Sequence, residues 1–258
     1  MIISLIRGAA TALKELLLPR YCIVCDRMLG QGEEHLCLDC DGDLPHTYFW
    51  QAGHNPMADR FNAGIEDYRL RESSSKEYER YAFAMALFFY RDGSGYREIL
   101  HHIKYMYDIQ AGEEFGRRLA SKVAIAEYLN DVDTVIPVPL HRSRQHSRGY
   151  NQAEIIAKEI AATLGVPLRK DILKRRRKTK TQTKLNDSQK RKNVDGAFGV
   201  CKRLCTEKCK DCGIRHILLV DDVFTTGSTA LACFVALRSV FPPSVRISVA
   251  TLAFVGEV

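Results

Sequence analysis

The stretch richest in chemistry runs Ile217-Leu218-Leu219-Val220-Asp221-Asp222-Val223-Phe224-Thr225-Thr226-Gly227-Ser228-Thr229. Its apolar start reads as a buried strand, and two adjacent carboxylates stand at the carboxyl end, where open α/β sheets bind their ligands. Threonines, a glycine and a serine follow, and then a helical pattern. Hydroxyls and free backbone N–H groups at a helix start suit a phosphate, with the helix dipole in support. Carboxylates beside such a grip would repel the phosphate unless they face another part of the ligand. A ribose diol, or the Mg²⁺ accompanying a second phosphate group, meets that demand. The pattern therefore implies a sugar with a phosphate at one end and hydroxyls at the other. A simple helix cap after a strand accounts for one hydroxyl residue but not for the paired aspartates.

A second constellation lies near the amino terminus. Cys22-Ile23-Val24-Cys25 and Cys37-Leu38-Asp39-Cys40 are two C-x-x-C knuckles, and two knuckles complete the tetrahedron that zinc prefers. Four thiolates leave no position for a substrate water, so the metal is expected to fold the module and do no chemistry. In so small a segment metal binding of roughly 10–16 kcal/mol is essentially the folding energy. A redox-active pair or buried free thiols is the competing reading, and His35 inside the spacing is a possible further ligand but reads as a surface residue. Four more cysteines, Cys201, Cys205, Cys209 and Cys212, are spaced irregularly and are open to a second zinc site, free thiols or a redox-sensitive group; Cys233 stands alone.

The elements that must position these groups follow from pattern and size. A chain of 258 residues, 46% hydrophobic and 27% charged, suffices for one full core with a small appended module. Near-average composition excludes a disordered or fibrous chain, and no run approaches the roughly 18–20 apolar residues of a membrane span. Clustered cysteines read as metal ligands and not as a secreted disulfide framework, so a cytoplasmic protein is expected. Ile2, Ile3, Ile6, Ala9, Ala10, Leu13, Leu16 and Leu17 recur at helical spacing and lack the form of a signal peptide. They read as an amphipathic helix on the protein's own core, with a membrane-surface or partner-docking helix as the alternative.

Three regions are expected: residues 1–45 with the helix and the cysteine module, a polar connecting segment over 46–80, and an α/β domain over 81–258. In the last, Tyr81–Tyr90, Val132–Val138, Ile217–Val220 and Val245–Phe254 read as strands. Tyr96–Tyr105, Gly112–Leu129, Gln152–Leu164 and Thr229–Leu237 read as helices. Strands alternating with helices, and strands apolar on both faces, indicate a mostly parallel sheet flanked by helices.

The acidic strand and its loop resemble the phosphoribosyl pyrophosphate motif of type I phosphoribosyltransferases. The resemblance implies that Asp221 and Asp222 hold the ribose hydroxyls, and that Thr225, Thr226, Gly227, Ser228 and Thr229 hold the 5′-phosphate. Asp133-Thr134-Val135-Ile136-Pro137-Val138-Pro139-Leu140, then Arg144 and Arg148-Gly149-Tyr150-Asn151-Gln152, resembles the pyrophosphate-loop region of the ComF-like competence proteins. That implies ligand contacts from Pro139, Leu140 and Arg144. Lys104-Tyr105, and Gln182, Leu185, Arg191, Asn193 and Gly196-Ala197-Phe198, match the same family in order. Two departures stand out: residues 41–80 lack the second pair of knuckles many relatives carry, and Cys201 to Cys212 occupy an insertion.

Between Arg169 and Lys192 twelve cations face two aspartates, giving +10 in a chain whose total is +7. The positive field is therefore local. In the phosphoribosyltransferase reading this segment is a loop that closes over the site and neutralises departing pyrophosphate. Twelve cations exceed that need, and single-stranded nucleic acid is a natural additional partner through Arg175, Arg176, Arg177 and Lys178. A solvated basic loop without a partner is the plain alternative. The stretch has no aromatic residue, so little sequence preference is expected.

The resemblance implies a phosphoribosyltransferase-like protein that binds phosphoribosyl pyrophosphate with Mg²⁺ and carries a structural zinc. It also implies a role in natural transformation and the handling of single-stranded DNA, with other competence proteins as possible partners. The alternative is a non-catalytic nucleic-acid-binding module that keeps the ligand site as a scaffold or sensor.

Overall fold

Two C-x-x-C turns open the described part of the chain, which comprises residues 19–72, 78–91, 93–176, 196–201 and 213–256 of a computed structural model. Tyr21 and Met28 form an antiparallel bridge, the Cys22 N–H bonds to the Arg27 carbonyl at 2.8 Å, and Asp26 adopts a left-handed φ of 57° to close the first turn. The second pair starts helix α1 (Leu38–Gly42), where the Asp41 N–H reaches the Cys37 carbonyl at 2.8 Å. The module sits against the rest of the chain at Gly95, where a Cβ would lie 2.4 Å from the Val24 carbonyl oxygen. The Tyr96 hydroxyl donates to the Cys40 carbonyl at 3.1 Å, and Arg118 pairs with Asp41 across the same seam.

The described residues of the stretch expected to connect the two parts form elements of their own. It holds a 3₁₀ turn at Phe49–Gln51 and a 17-residue helix, α2 (Pro56–Glu72). Asn55 caps that helix: its Oδ1 accepts from the N–H groups of Met57 at 3.1 Å and Ala58 at 3.0 Å, while its Nδ2 donates to the Ala84 carbonyl at 2.9 Å. Met57, Ala58, Phe61 and Ile65 are buried. The apolar stripe is thus only about two turns long and is interleaved with charge, which is why the segment looks weakly periodic. Just before it, residues 45–47 run along the outer side of the first strand. The Thr47 N–H bonds to the Leu87 carbonyl at 3.2 Å and the Phe89 N–H to the Pro45 carbonyl at 2.8 Å.

The main sheet has four parallel strands in the order β1-β6-β5-β2: β1 (Ala84–Phe89), β2 (Thr134–Pro137), β5 (His216–Phe224) and β6 (Arg246–Phe254). A smaller antiparallel ribbon pairs β3 (Leu173–Arg175) with β4 (Phe198–Val200). Every residue of β1 and β2 is buried, as a doubly covered parallel sheet requires. Helices α3 (Arg97–Tyr105) and α4 (Ile109–Ile125) link β1 to β2. Asp108 caps α4, its Oδ1 accepting from the Ala111 N–H at 2.9 Å. The helix expected over Gly112–Leu129 therefore begins earlier and stops at Ile125, its expected end forming a 3₁₀ turn at Glu127–Leu129. After β2 come the short α5 (Arg142–Arg148) and then α6 (Gln152–Leu164), which packs on α4. Helix α7 (Ser228–Arg238) joins β5 to β6 and packs against α2 and the ribbon.

Phe61, Phe88, Phe115, Phe234 and Phe254 are fully buried. Phe61 of α2 meets Phe224 at 6.4 Å and Phe234 at 6.0 Å between ring centroids, edge to face, so the segment over 46–80 supplies core beneath the end of β5. Among the described residues, no helix is long and apolar enough to cross a membrane. The helix expected over residues 2–17 lies outside the described residues.

Candidate functional site

A cleft of about 290 Å³ opens at the carboxyl ends of β5 and β2. Asp221, Asp222, Thr225, Gly227, Ser228 and Thr229 line one side; Leu140, Arg148, Asn151 and Gln152 line another; Lys104, Tyr105 and Arg175 complete it. The loop between β5 and α7 has a specific geometry. Gly227 takes a φ of 77°, and a Cβ there would lie 2.7 Å from the Phe224 ring, so both conformation and space call for glycine. The Thr226 and Ser228 hydroxyls lie 2.8 Å apart, and Ser228 begins the 11-residue α7. Two residues that the sequence pattern did not point to hold the loop and shape the cleft. Arg60 of α2 donates from Nη1 to the carbonyls of Thr225 at 2.8 Å and Val255 at 2.9 Å, with its guanidinium 4.9 Å from the Phe254 ring centroid. Thr251 of β6 lines the cleft floor. Arg60 stands 165 positions before its partner Thr225, and no local pattern announces such a tie.

The two carboxylates sit in different surroundings. Asp222 is buried and pairs with the Lys104 ammonium at 3.1 Å. Asp221 accepts the Asp222 N–H at 2.9 Å, but burial, and then the neighbouring Asp222 charge, push its carboxyl up to about 7. Asp222's N–H, Lys104 and Arg175 oppose that shift. The result is a cleft with a hydroxyl-lined helix start on one side and a carboxylate pair, moderated by cations, on the other.

The structure brings most of the sequence-predicted groups into this cleft. Thr226 is the exception within the loop, lining the cavity on the α2 side beside Arg60 and Gly227. Pro139 is half-buried next to Leu140 and is not among the lining residues. Arg144 lies within α5. Of the basic segment, Arg175 lines the cleft, its guanidinium 5.1 Å from the Phe198 ring centroid. Arg176 donates its N–H to the Ala197 carbonyl at 2.8 Å and lays its side chain over Gly199. The segment expected as a loop thus begins as strand β3. Arg177, Lys178 and the rest of the run to Lys192 lie outside the described residues, as do Cys205, Cys209 and Cys212; Cys201, just past β4, is half-buried.

The first cysteine cluster is a candidate metal centre. The four sulfurs of Cys22, Cys25, Cys37 and Cys40 lie within 4.8 Å of one another, with Cys25 and Cys37 at 3.7 Å. A tetrahedron with Zn–S bonds of about 2.3 Å has edges of about 3.8 Å, so the sulfur set fits zinc. The Cys40 N–H and the Arg27 guanidinium, which donates to Cys37 Sγ at 3.1 Å, bring the Cys37 thiol down to about 6. That lowering favours the thiolate form in which a cysteine binds metal. His35 does not join the quartet; its Nδ1 faces Asp108 at 3.9 Å.

A second arrangement imitates catalytic machinery. His216 lies 2.5 Å from Asp131 through Nδ1 and 2.7 Å from the Ser248 hydroxyl through Nε2. Ser248 and His216 are fully buried, and the Ser248 oxygen already accepts the Phe83 N–H at 3.1 Å. This relay pins β5, β6 and the approach to β2 together, and no substrate can reach it.

No family model matches the chain. Over 97 residues it is 40% identical to Competence protein F of Haemophilus influenzae, covering 38% of this chain and 40% of that protein. Over 134 residues the chain is also 29% identical to DNA utilization protein YhgH of Salmonella typhimurium and 28% to that of Escherichia coli K12, in each case covering 51% of this chain and 56% of the relative. The matches span about half the length of those proteins. The two patterns that stand out in the sequence are each gathered in space: the cysteine quartet into one cluster, and the acidic strand end with most of its hydroxyl loop into one cleft.

Proposed function

We propose that the cleft binds phosphoribosyl pyrophosphate and that the protein handles single-stranded DNA in competence or DNA utilisation. One observation carries the first part: Thr225, Gly227, Ser228 and Thr229 at the start of α7 line the same 290 Å³ cleft as the Asp221–Asp222 pair, together with Lys104 and Arg175. In this reading the loop hydroxyls and N–H groups hold the 5′-phosphate, and the carboxylates accept the ribose hydroxyls. Lys104 and Arg175 offset the negative charge of the pyrophosphate. Mg²⁺, when bound with the ligand, would neutralise the remaining phosphate charge. As the bond from ribose C1 to pyrophosphate breaks, positive charge gathers on the sugar ring, and the two carboxylates lie where they steady it. The names of the relatives, and the excess of cations over Arg169 to Lys192, support the DNA part. The zinc module holds the seam at Gly95 and Tyr96 and takes no part in chemistry.

Isothermal calorimetry tests the cleft. Phosphoribosyl pyrophosphate should bind the wild type, and Asp221→Asn with Asp222→Asn should weaken it; unchanged affinity in the double variant overturns the assignment. A pyrophosphate-release assay over a panel of nucleobase and nucleotide acceptors then separates a transferase from a protein that uses the ligand as a scaffold or sensor.

A further inference from the structure

The end of α3 and the turn after it present two exposed tyrosines, Tyr105 lining the cleft and Tyr107 two residues on, which together form an aromatic ledge. Tyr105 is 52% exposed and Tyr107 62% exposed, unusual for two rings so close in sequence. Each is held in place. The Arg148 guanidinium lies 4.8 Å from the Tyr105 ring centroid, and the His101 ring is tilted against it at 5.2 Å between centroids. Tyr107 adopts a left-handed φ of 57°, donates its hydroxyl to the Ser147 carbonyl at 2.8 Å, and lies 6.4 Å from the Tyr150 ring. Tyr150 in turn is fixed by a hydrogen bond to the Ile103 carbonyl. The neighbouring α5 reads RSRQHSR and contains no acidic residue. Carboxylates around it are already engaged: Asp222 pairs with Lys104, Glu98 faces His101 and Arg97, and Asp108 caps α4 between His35 and His102.

Rigid exposed rings beside arginines are what a single nucleic-acid strand requires: a π-face for each base and a cation for the backbone. A pocket for one base would enclose its ring, whereas both of these rings stand exposed. We infer that Tyr105 and Tyr107, braced by Arg148 and α5, form the base-stacking surface for single-stranded DNA. The basic segment lacks aromatic residues, so the ledge supplies the contact to bases that the segment cannot. This rests on the DNA-binding part of the proposed function and is independent of the sugar-phosphate ligand.

Fluorescence anisotropy decides it with two labelled strands of equal length, an oligothymidylate and an abasic strand with the same phosphates. Tyr105→Ala and Tyr107→Ala should each weaken oligothymidylate binding by about 5- to 150-fold, the range of stacking one base. Abasic-strand binding should stay within about twofold, and Tyr105→Phe, which keeps the ring, should restore the wild-type value. Arg148→Lys, which keeps charge and loses the planar stack, should weaken the oligothymidylate without changing its salt dependence. Equal losses on both strands, or no loss on either, would overturn the ledge while leaving DNA binding in place. Displacement of the strand by free thymidine at an equal concentration of bases would also overturn it, by assigning the ring to a single nucleoside. A wild type that binds neither strand would remove the DNA part of the proposed function and the ledge with it. Thermal melts and zinc content of each variant show that the fold is retained.

Discussion

Asp221→Asn should make the protein more stable and less able to bind its ligand, and the gain should grow with pH. Asn keeps the Oδ1 that accepts the Asp222 N–H at 2.9 Å and removes only the charge. The Asp221 carboxyl titrates near 7 in the folded chain against an ordinary value of 3.8. A folded-state value raised this way contributes stability that is full below about pH 4 and is lost as pH rises through about 7. Roughly three pH units at about 1.4 kcal/mol each set a ceiling of about 4 kcal/mol. The side chain faces an open cleft, and water there halves the expected figure to about 2 kcal/mol at pH 8, with about half of that already present at pH 5.5. Urea unfolding of wild type and variant at the two pH values reads the difference directly. A variant no more stable than wild type at pH 8, or one whose advantage shrinks as pH rises, would refute the assignment of a strained carboxyl to this position. The same titration bears on function: a carboxylate needed to accept ribose hydroxyls should make phosphoribosyl pyrophosphate binding rise through pH 7.

Lys104→Met leaves Asp222 buried without its 3.1 Å partner, and urea unfolding should show a loss of about 2–4 kcal/mol that adding Asp222→Asn partly restores. Cys22→Ser with Cys37→Ser should abolish the zinc of the first module by elemental analysis; zinc remaining in that variant would assign a second site to the cysteines from Cys201 to Cys212. Changing Arg175, Arg176, Arg177 and Lys178 together to Gln should flatten the salt dependence of single-strand binding by roughly three in log–log slope, at about 0.7 per phosphate contact. Asn55→Ala removes a helix cap and the bond to the Ala84 carbonyl together, and should lower stability by about 2 kcal/mol in chemical denaturation.

What could be read from the sequence was what is local and repeated. The run from Ile217 to Thr229 announces strand, acidic end and phosphate loop because all three are consecutive, and the cysteine spacing announces its own tetrahedron. The parallel sheet was legible because its strands are apolar on both faces. Helix α2 was not: its buried side, Met57, Ala58, Phe61 and Ile65, ends after two turns, and Asp59, Arg60 and Asn62 dilute it. Helix α5 has no apolar stripe at all. The Lys104–Asp222 pair, the Arg60 tie and the brace of Arg148 on Tyr105 join residues dozens to more than a hundred positions apart, and only the closed fold puts them in contact.

The strip of chain over residues 45–47 also has a protective role. Strand β1 is the border of the sheet, its sequence is AMALFF, and without that strip its free N–H and carbonyl groups would be a template for another strand. The bonds from Thr47 to Leu87 and from Phe89 to Pro45, and the bridge between His46 and Phe88, close that border. A fragment beginning near residue 81, which the region boundaries suggest as a minimal α/β domain, would therefore present an uncharged apolar edge. Self-association of such a fragment, with the longer chain from residue 44 remaining monodisperse, is the expected consequence.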